Sequence, residues 1–139
     1  MSYIDELGTA AKKAELEMSA VGTVTKNAAL RAIADELIKN KDTIIKENKR
    51  DIENAKANGM TEAFIDRLTL TEARIEGMSE GVRQVAELKD PINEIIGGEE
   101  LLNGLVVEKI RVPLGVIGII FESRPNVTVD AAALCLKSG

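Results

Sequence analysis

The stretch Gly115-Val116-Ile117-Gly118-Ile119-Ile120-Phe121, breaking off into Glu122-Ser123-Arg124-Pro125-Asn126, decides how the chain is to be read. An uncharged, β-branched run of this length predicts a strand buried on both faces of a parallel sheet. Polarity returns abruptly at Glu122, and residues 127–137 then predict a helix apolar nearly all round, with Gly139 placed as its C-terminal stop. A parallel strand and its crossover helix need a second strand on the far side. None follows before Gly139, so the expectation is the opening segment of a larger α/β protein.

Upstream of Pro113 the pattern is that of a hairpin. Asn103-Gly104 lies between Glu99-Glu100-Leu101-Leu102 and residues 105–112, and this dipeptide predicts a tight turn with positive φ at both central residues. The second strand alternates Val106, Glu108, Ile110 and Val112 against Leu105, Val107, Lys109 and Arg111, so both faces are mixed. A ribbon of this size is marginal alone and should lean on the body of the protein or on another chain.

The first 92 residues are helical in pattern. Ile4, Leu7, Ala11, Ala14 and Met18 make one stripe over residues 3–18. After Gly22, Thr25 is placed to cap a second helix with Ala29, Leu30, Ile33, Leu37 and Ile38 inward, ending near Asn40. A third starts at Asp42, carries Ile45, Ile52 and Ala55 inward and stops at Gly59. Thr61 caps a short turn bearing Phe64, Ile65 and Leu68. Thr69 and Glu72 have the spacing of a capping box for a helix over residues 70–88, with Ile75, Met78, Val82 and Val85 inward. Asp90-Pro91 closes this half, because the residue before proline leaves the helical region. The division is therefore 1–92 helical, 93–112 hairpin and 113–139 the start of a parallel-sheet core.

Composition narrows the function classes. The 139 residues hold Lys+Arg 18, Asp+Glu 23 and no histidine, a net charge of −5 and a pI of about 4.9, which excludes a basic nucleic-acid binder. Hydrophobic residues at 45% and charged residues at 29% are globular proportions, with only 2% aromatics, so aliphatic side chains and alanine must build the core. Cys135 has no partner for a disulfide and, without histidine, no companions for zinc, so no metal site is expected. It shares a helical face with Val127, Ala131 and Leu134, which makes it a small core residue and not a nucleophile. The N-terminus lacks the charged flank and apolar run of a secretory signal, and no apolar run approaches the ~18 residues of a membrane span. A soluble, cytoplasmic protein is expected.

Chemistry concentrates at the polar corner, since ligands of open α/β sheets bind beyond the carboxyl ends of the strands, near helix N-termini. Arg124 suits a carboxylate or phosphate, Ser123 and Asn126 can donate to an oxyanion, and Pro125 stiffens the bend. Equally, Asn126 or Ser123 capping the helix with Arg124 in solvent accounts for the same spacing. Gly115 and Gly118 precede or lie within the strand, whereas a dinucleotide fingerprint needs its glycines in the turn after it.

The whole stretch from Val112 to Gly139, with Lys26-Asn27-Ala28-Ala29-Leu30, Asn48-Lys49-Arg50-Asp51 and Asp66-Arg67-Leu68, resembles the γ-glutamyl phosphate reductase family of the aldehyde dehydrogenase superfamily. The resemblance covers all of this chain but only the front part of the family's length. It implies an N-terminal part of a Rossmann-type α/β domain, and reduction of L-glutamyl 5-phosphate by NADPH to L-glutamate 5-semialdehyde with release of phosphate, on the route to proline. It also implies a cysteine thiolate nucleophile far downstream, at a position Cys135 does not match, so that no catalytic residue is expected in this chain and the chain alone should be inactive. Where the wider superfamily has a Pro-Trp-Asn turn, this chain has Glu122-Ser123-Arg124-Pro125-Asn126. The resemblance makes that turn a wall of the active site, with Ser123, Arg124 and Asn126 towards the substrate and Phe121 and Glu122 towards the cofactor. Residues 101–112 then belong to an oligomerisation hairpin, a homo-oligomer is implied, and glutamate 5-kinase is raised as a coupled partner. The competing expectation is a non-catalytic helical oligomerisation or interaction module, against which a buried parallel strand argues.

Overall fold

The computed structural model describes residues 2–139, which form six helices and one two-stranded sheet. Helix α1, Tyr3–Met18, starts on a full capping box between Ser2 and Asp5. The Ser2 amide donates to the Asp5 carboxylate at 2.8 Å, and this bond holds the Asp5 carboxyl below its ordinary pKa. None of the helix's residues is buried. Helix α2, Thr23–Lys39, begins two residues before the expected Thr25 cap, with Gly22 at the N-cap position. Its first turn is held from outside, by the Thr23 hydroxyl donating to Asp90 at 2.8 Å. Helix α3, Lys41–Ala57, ends where expected: Gly59 takes φ +70°, and the amides of Gly59 and Met60 reach back to the Lys56 and Ala55 carbonyls.

Helix α4, Glu62–Leu68, is capped by Thr61 as its spacing predicts. The cap of α5, Glu72–Glu87, is Thr71 and not Thr69. The Thr69 hydroxyl donates to the Ile65 carbonyl at 2.7 Å, closing α4, so it is not available to open the next helix. Buried Asn48 bridges this joint. Its side chain donates to the Leu68 carbonyl at 2.8 Å and accepts from the Leu70 amide at 2.7 Å.

The core sits where α2 and α5 pack on each other and on helix α6, Pro125–Lys137. Leu30 and Ala34 of α2, Val82 and Ala86 of α5 and Ala133 of α6 form its centre, and Leu70, Ile75 and Met78 a second cluster beside α3. Full burial of Leu30 alone is worth about 1.5–3 kcal/mol. Alanines at the crossings let three helices approach closely, which is how a chain with few aromatics packs.

Strand β1, Ile95–Glu100, pairs antiparallel with β2, Val106–Ile110. The register advances irregularly between Ile95 and Gly97, the two-against-one arrangement of a bulge at Ile96. Gly98 is required by proximity, since a Cβ there would stand 2.9 Å from the Val107 carbonyl oxygen. The turn differs from the expected one. Gly104 has φ +82° but Asn103 does not have positive φ, and Leu101 closes the loop by accepting from the Gly104 amide at 2.8 Å and donating to Leu105 at 2.8 Å. This is a three-residue loop ending on a left-handed glycine, with the Asn103 side chain accepting from the Leu105 amide at 3.1 Å.

The expected strand over residues 115–121 requires correction. It carries no ladder in this chain, Ile120 is fully exposed, and Val116, Ile117, Ile119 and Phe121 are each about half-exposed. The reason is a missing neighbour. β1 and β2 pair only with each other, neither lends its free edge to this segment, and the described residues hold no further strand. The strand-like composition is intact, but its amides have nothing to bond.

Candidate active-site corner

Residues 122–126 turn the chain from this apolar segment into α6. Ser123 takes left-handed φ of +43°, Arg124 occupies the N-cap position with an extended φ of −127°, and Pro125 opens the helix, where its missing amide hydrogen costs nothing. The helix begins two residues before the expected Val127 because Pro125 is pre-set for its first turn. Neither Ser123 nor Asn126 caps it. Asn126 instead donates through Nδ2 to the Asp130 carboxylate at 3.0 Å, one turn along.

Against this corner lies a cleft of about 450 Å³, walled by the joint between α4 and α5 on one side and the start of α6 on the other. Its charged lining is Asp66, Arg67, Arg74, Arg124 and Asp130. Arg74 is held by the joint itself: its guanidinium donates to the Asp66 and Thr69 carbonyls and to the Asp66 carboxylate, the last at 3.0 Å. Arg67 and Arg124 form no ion pair among the described residues. Of the five residues singled out from sequence, Arg124 and Asn126 line this cleft, Ser123 is half-buried beside it, and Phe121 and Glu122 are exposed outside it.

What holds α6 in place was not foreseen. Lys26 of α2 is 2% exposed, and its Nζ pairs with the Asp90 carboxylate at 2.6 Å and donates to the Lys137 carbonyl at the end of α6 at 3.1 Å. Asp90 also accepts from the Ile92 amide at 3.0 Å and from Thr23. Burial works against its charge, yet the bonds from Lys26, the Ile92 amide and Thr23, with the charge on Lys26, outweigh it and hold the Asp90 carboxyl below its ordinary pKa. Lys137, also buried, donates to Asn27 Oδ1 at 2.6 Å and to the Ala86 carbonyl in the last turn of α5 at 2.9 Å, where the helix dipole favours a cation. One polar knot thus ties the start of α2 and the ends of α5 and α6. A sequence signal existed: Lys26 leads the stripe Leu30 and Ala34, and Lys137 ends the stripe Val129 and Ala133, each at a spacing of four. A lysine on such a stripe must either reach solvent or find partners.

Cys135 is half-buried on α6 and lines a separate apolar groove of about 550 Å³ with Met18, Leu114 and Leu136. It does not line the arginine cleft, and no cluster of metal-binding side chains occurs among the described residues.

No family model matches the chain. Curated proteins do: it is 57% identical over 138 residues to the γ-glutamyl phosphate reductase of Clostridium novyi, covering 99% of this chain and 33% of that protein. The same enzyme of Carboxydothermus hydrogenoformans is 53% identical over 139 residues, 100% of this chain and 34% of its own. The crystal structure of γ-glutamyl phosphate reductase from Thermotoga maritima superposes with a TM-score of 0.95 at 38% identity, over 99% of this chain and 33% of that one. Along its whole length the chain matches γ-glutamyl phosphate reductases. It spans about one third of the length of the relatives it matches, and its helices and hairpin correspond to the N-terminal part of the reductase fold. The reductase of Saccharomyces cerevisiae agrees, with a TM-score of 0.93 at 34% identity over 99% of this chain and 35% of its own. This third of the reductase fold is helix-rich, with one two-stranded antiparallel hairpin.

Proposed function

We propose that a polypeptide carrying this chain reduces L-glutamyl 5-phosphate with NADPH to L-glutamate 5-semialdehyde and phosphate, on the route to proline. The observation that carries the proposal is the cleft at the corner, where Arg124 and Asn126 meet at the start of a helix in a chain that matches these reductases. Its guanidinium and helix terminus suit a substrate that is anionic at both ends. Ser123 stands beside the cleft as a hydroxyl donor. In the complete fold residues 115–121 gain ladder partners and hold the corner rigid, which is what positioning of a reacting acyl group requires.

NADPH, when bound, supplies hydride. The exposed ring of Phe121 and the carboxylate of Glu122 fit such a cofactor, one as a flat apolar surface and the other as a hydrogen-bond acceptor. The nucleophilic thiol of the proposed reaction lies outside this sequence, because Cys135 lines a different groove. Cys135→Ala in the full-length enzyme should leave NADPH oxidation unchanged, and abolished turnover in that variant would reassign the nucleophile.

The hairpin supports a homo-oligomer. Leu102, Leu105, Val107 and Ile110 are all exposed, and β1 and β2 each leave one edge unpaired. Glutamate 5-kinase, which would make the acyl phosphate, is the proposed supplying partner. Among the described residues no helix is long and apolar enough to cross a membrane, and a cytoplasmic location suits the single unpaired thiol. The alternative of a non-catalytic helical module finds nothing in its favour, since the relatives named above are reductases.

The test is an NADPH oxidation assay with enzymatically generated L-glutamyl 5-phosphate. The full-length polypeptide should turn over and the 139-residue chain should not. A full-length polypeptide inert towards this substrate would overturn the proposal.

A further inference from the structure

The corner cleft contains two guanidinium groups with no carboxylate of their own, and only Arg124 belongs to the corner. The other is Arg67, in the last turn of α4. Arg74, the third arginine of the lining, is already committed to the Asp66 and Thr69 backbone. Asp130 shares the lining and holds a carboxylate that accepts one bond, from Asn126.

We propose that Arg67 is a second substrate-binding residue, acting with Arg124 on the α-amino-acid end of the substrate: the α-carboxylate on the two guanidinium groups, the ammonium towards Asp130. This rests on the reductase reading given above. Mixed charge in the lining decides which end of the substrate fits. A phosphate dianion would be attracted by the arginines but repelled by Asp130, whereas a group carrying both a carboxylate and an ammonium meets a complement for each. The volume, about 450 Å³, lies within the range of small-molecule sites. Arg67 reaches the cleft because Asp66 and Thr69 are fixed by Arg74 and by the Thr69–Ile65 bond, so the end of α4 has a defined position beside the corner.

If Arg67 were only a cation at the end of a helix, its loss would lower stability slightly and leave substrate affinity alone. The full-length enzyme run in reverse separates the possibilities, because the semialdehyde, which carries the amino-acid end, and inorganic phosphate are then distinct substrates. Arg67→Gln should raise KM for the semialdehyde by about tenfold or more, with KM for phosphate and for the oxidised cofactor unchanged. Arg67→Lys should recover part of the loss, since a point charge remains without the fork. An unchanged KM for the semialdehyde, or a rise confined to phosphate, would overturn the assignment while leaving the reductase reading intact. A wild-type enzyme that consumes neither substrate would overturn both.

Discussion

Asp90→Asn is expected to destabilise the fold by about 3–5 kcal/mol, the cost of leaving a buried charge without its partner. Lys26 has almost no contact with solvent, and its other partner in the knot, the Lys137 carbonyl, is neutral. Asparagine keeps the shape and an acceptor but removes the charge, so the Lys26 ammonium must be dehydrated without compensation or must move out and open the junction of α2, α5 and α6. Urea unfolding of the full-length polypeptide, followed by its helical signal, measures the change. Adding Lys26→Met should recover much of it, because the double variant removes the ammonium that Asp90→Asn leaves without its carboxylate. A shift below about 1 kcal/mol for Asp90→Asn would mean that the knot contributes little to the fold.

The same pair sets a pH dependence whose sign follows from the depressed carboxyl. Asp90 has a lower pKa folded than unfolded, so its contribution is fully present above the unfolded value of about 4 and is lost as pH falls through the lower folded value. The wild type should therefore lose stability steeply below pH about 4, and Asp90→Asn should show a flatter acid limb.

Arg124→Ala in the full-length enzyme should lower kcat/KM for L-glutamyl 5-phosphate by roughly 10- to 100-fold, the equivalent of about 1.5–3 kcal/mol for hydrogen bonds to a charged group. Its position makes this effect specific. The residue is at the N-cap of α6 but contributes no side-chain cap, so its removal takes no hydrogen bond from the helix. The loss should therefore appear in KM for the acyl phosphate, with KM for NADPH and the unfolding midpoint unchanged. Arg124→Lys should retain part of the affinity as a point charge without bidentate geometry. Unaltered kinetics would return Arg124 to the role of a solvated side chain.

The helices were legible because their signals are local. The stripe from Ile4 to Met18 gave α1 its bounds, Thr61 capped α4, and Gly59 and Gly139 adopted the positive φ of C-terminal stops. Misplacements came from competition between nearby polar groups: the Thr69 hydroxyl was drawn back to Ile65, and Thr23 was engaged by Asp90 from 67 positions away. The buried lysines were missed for the same reason, since a stripe shows that a side chain points inward but not what it will meet. Asn48 is a third case, a polar residue among apolar neighbours whose two partners lie across a loop. Composition marked residues 115–121 as a strand, which the structure does not form, because a strand exists only through neighbours and composition cannot say whether these are in the same stretch of chain. Arg67 carried no signal as a site residue, because on a helix of this length a terminal arginine has an ordinary use as a last-turn cation.

Backbone protection over residues 115–121 is the most direct test that this apolar segment becomes an interior strand and carries the Glu122 to Asn126 corner to the reaction centre. Amide hydrogen exchange, compared between the full-length polypeptide and the 139-residue chain, reads it residue by residue. Strong protection from residue 116 to residue 121 in the full-length protein, with fast exchange in the short chain, is the predicted result. Fast exchange of these amides in both would contradict the account, since a corner at the end of an unpaired, solvent-exposed segment has no rigid support.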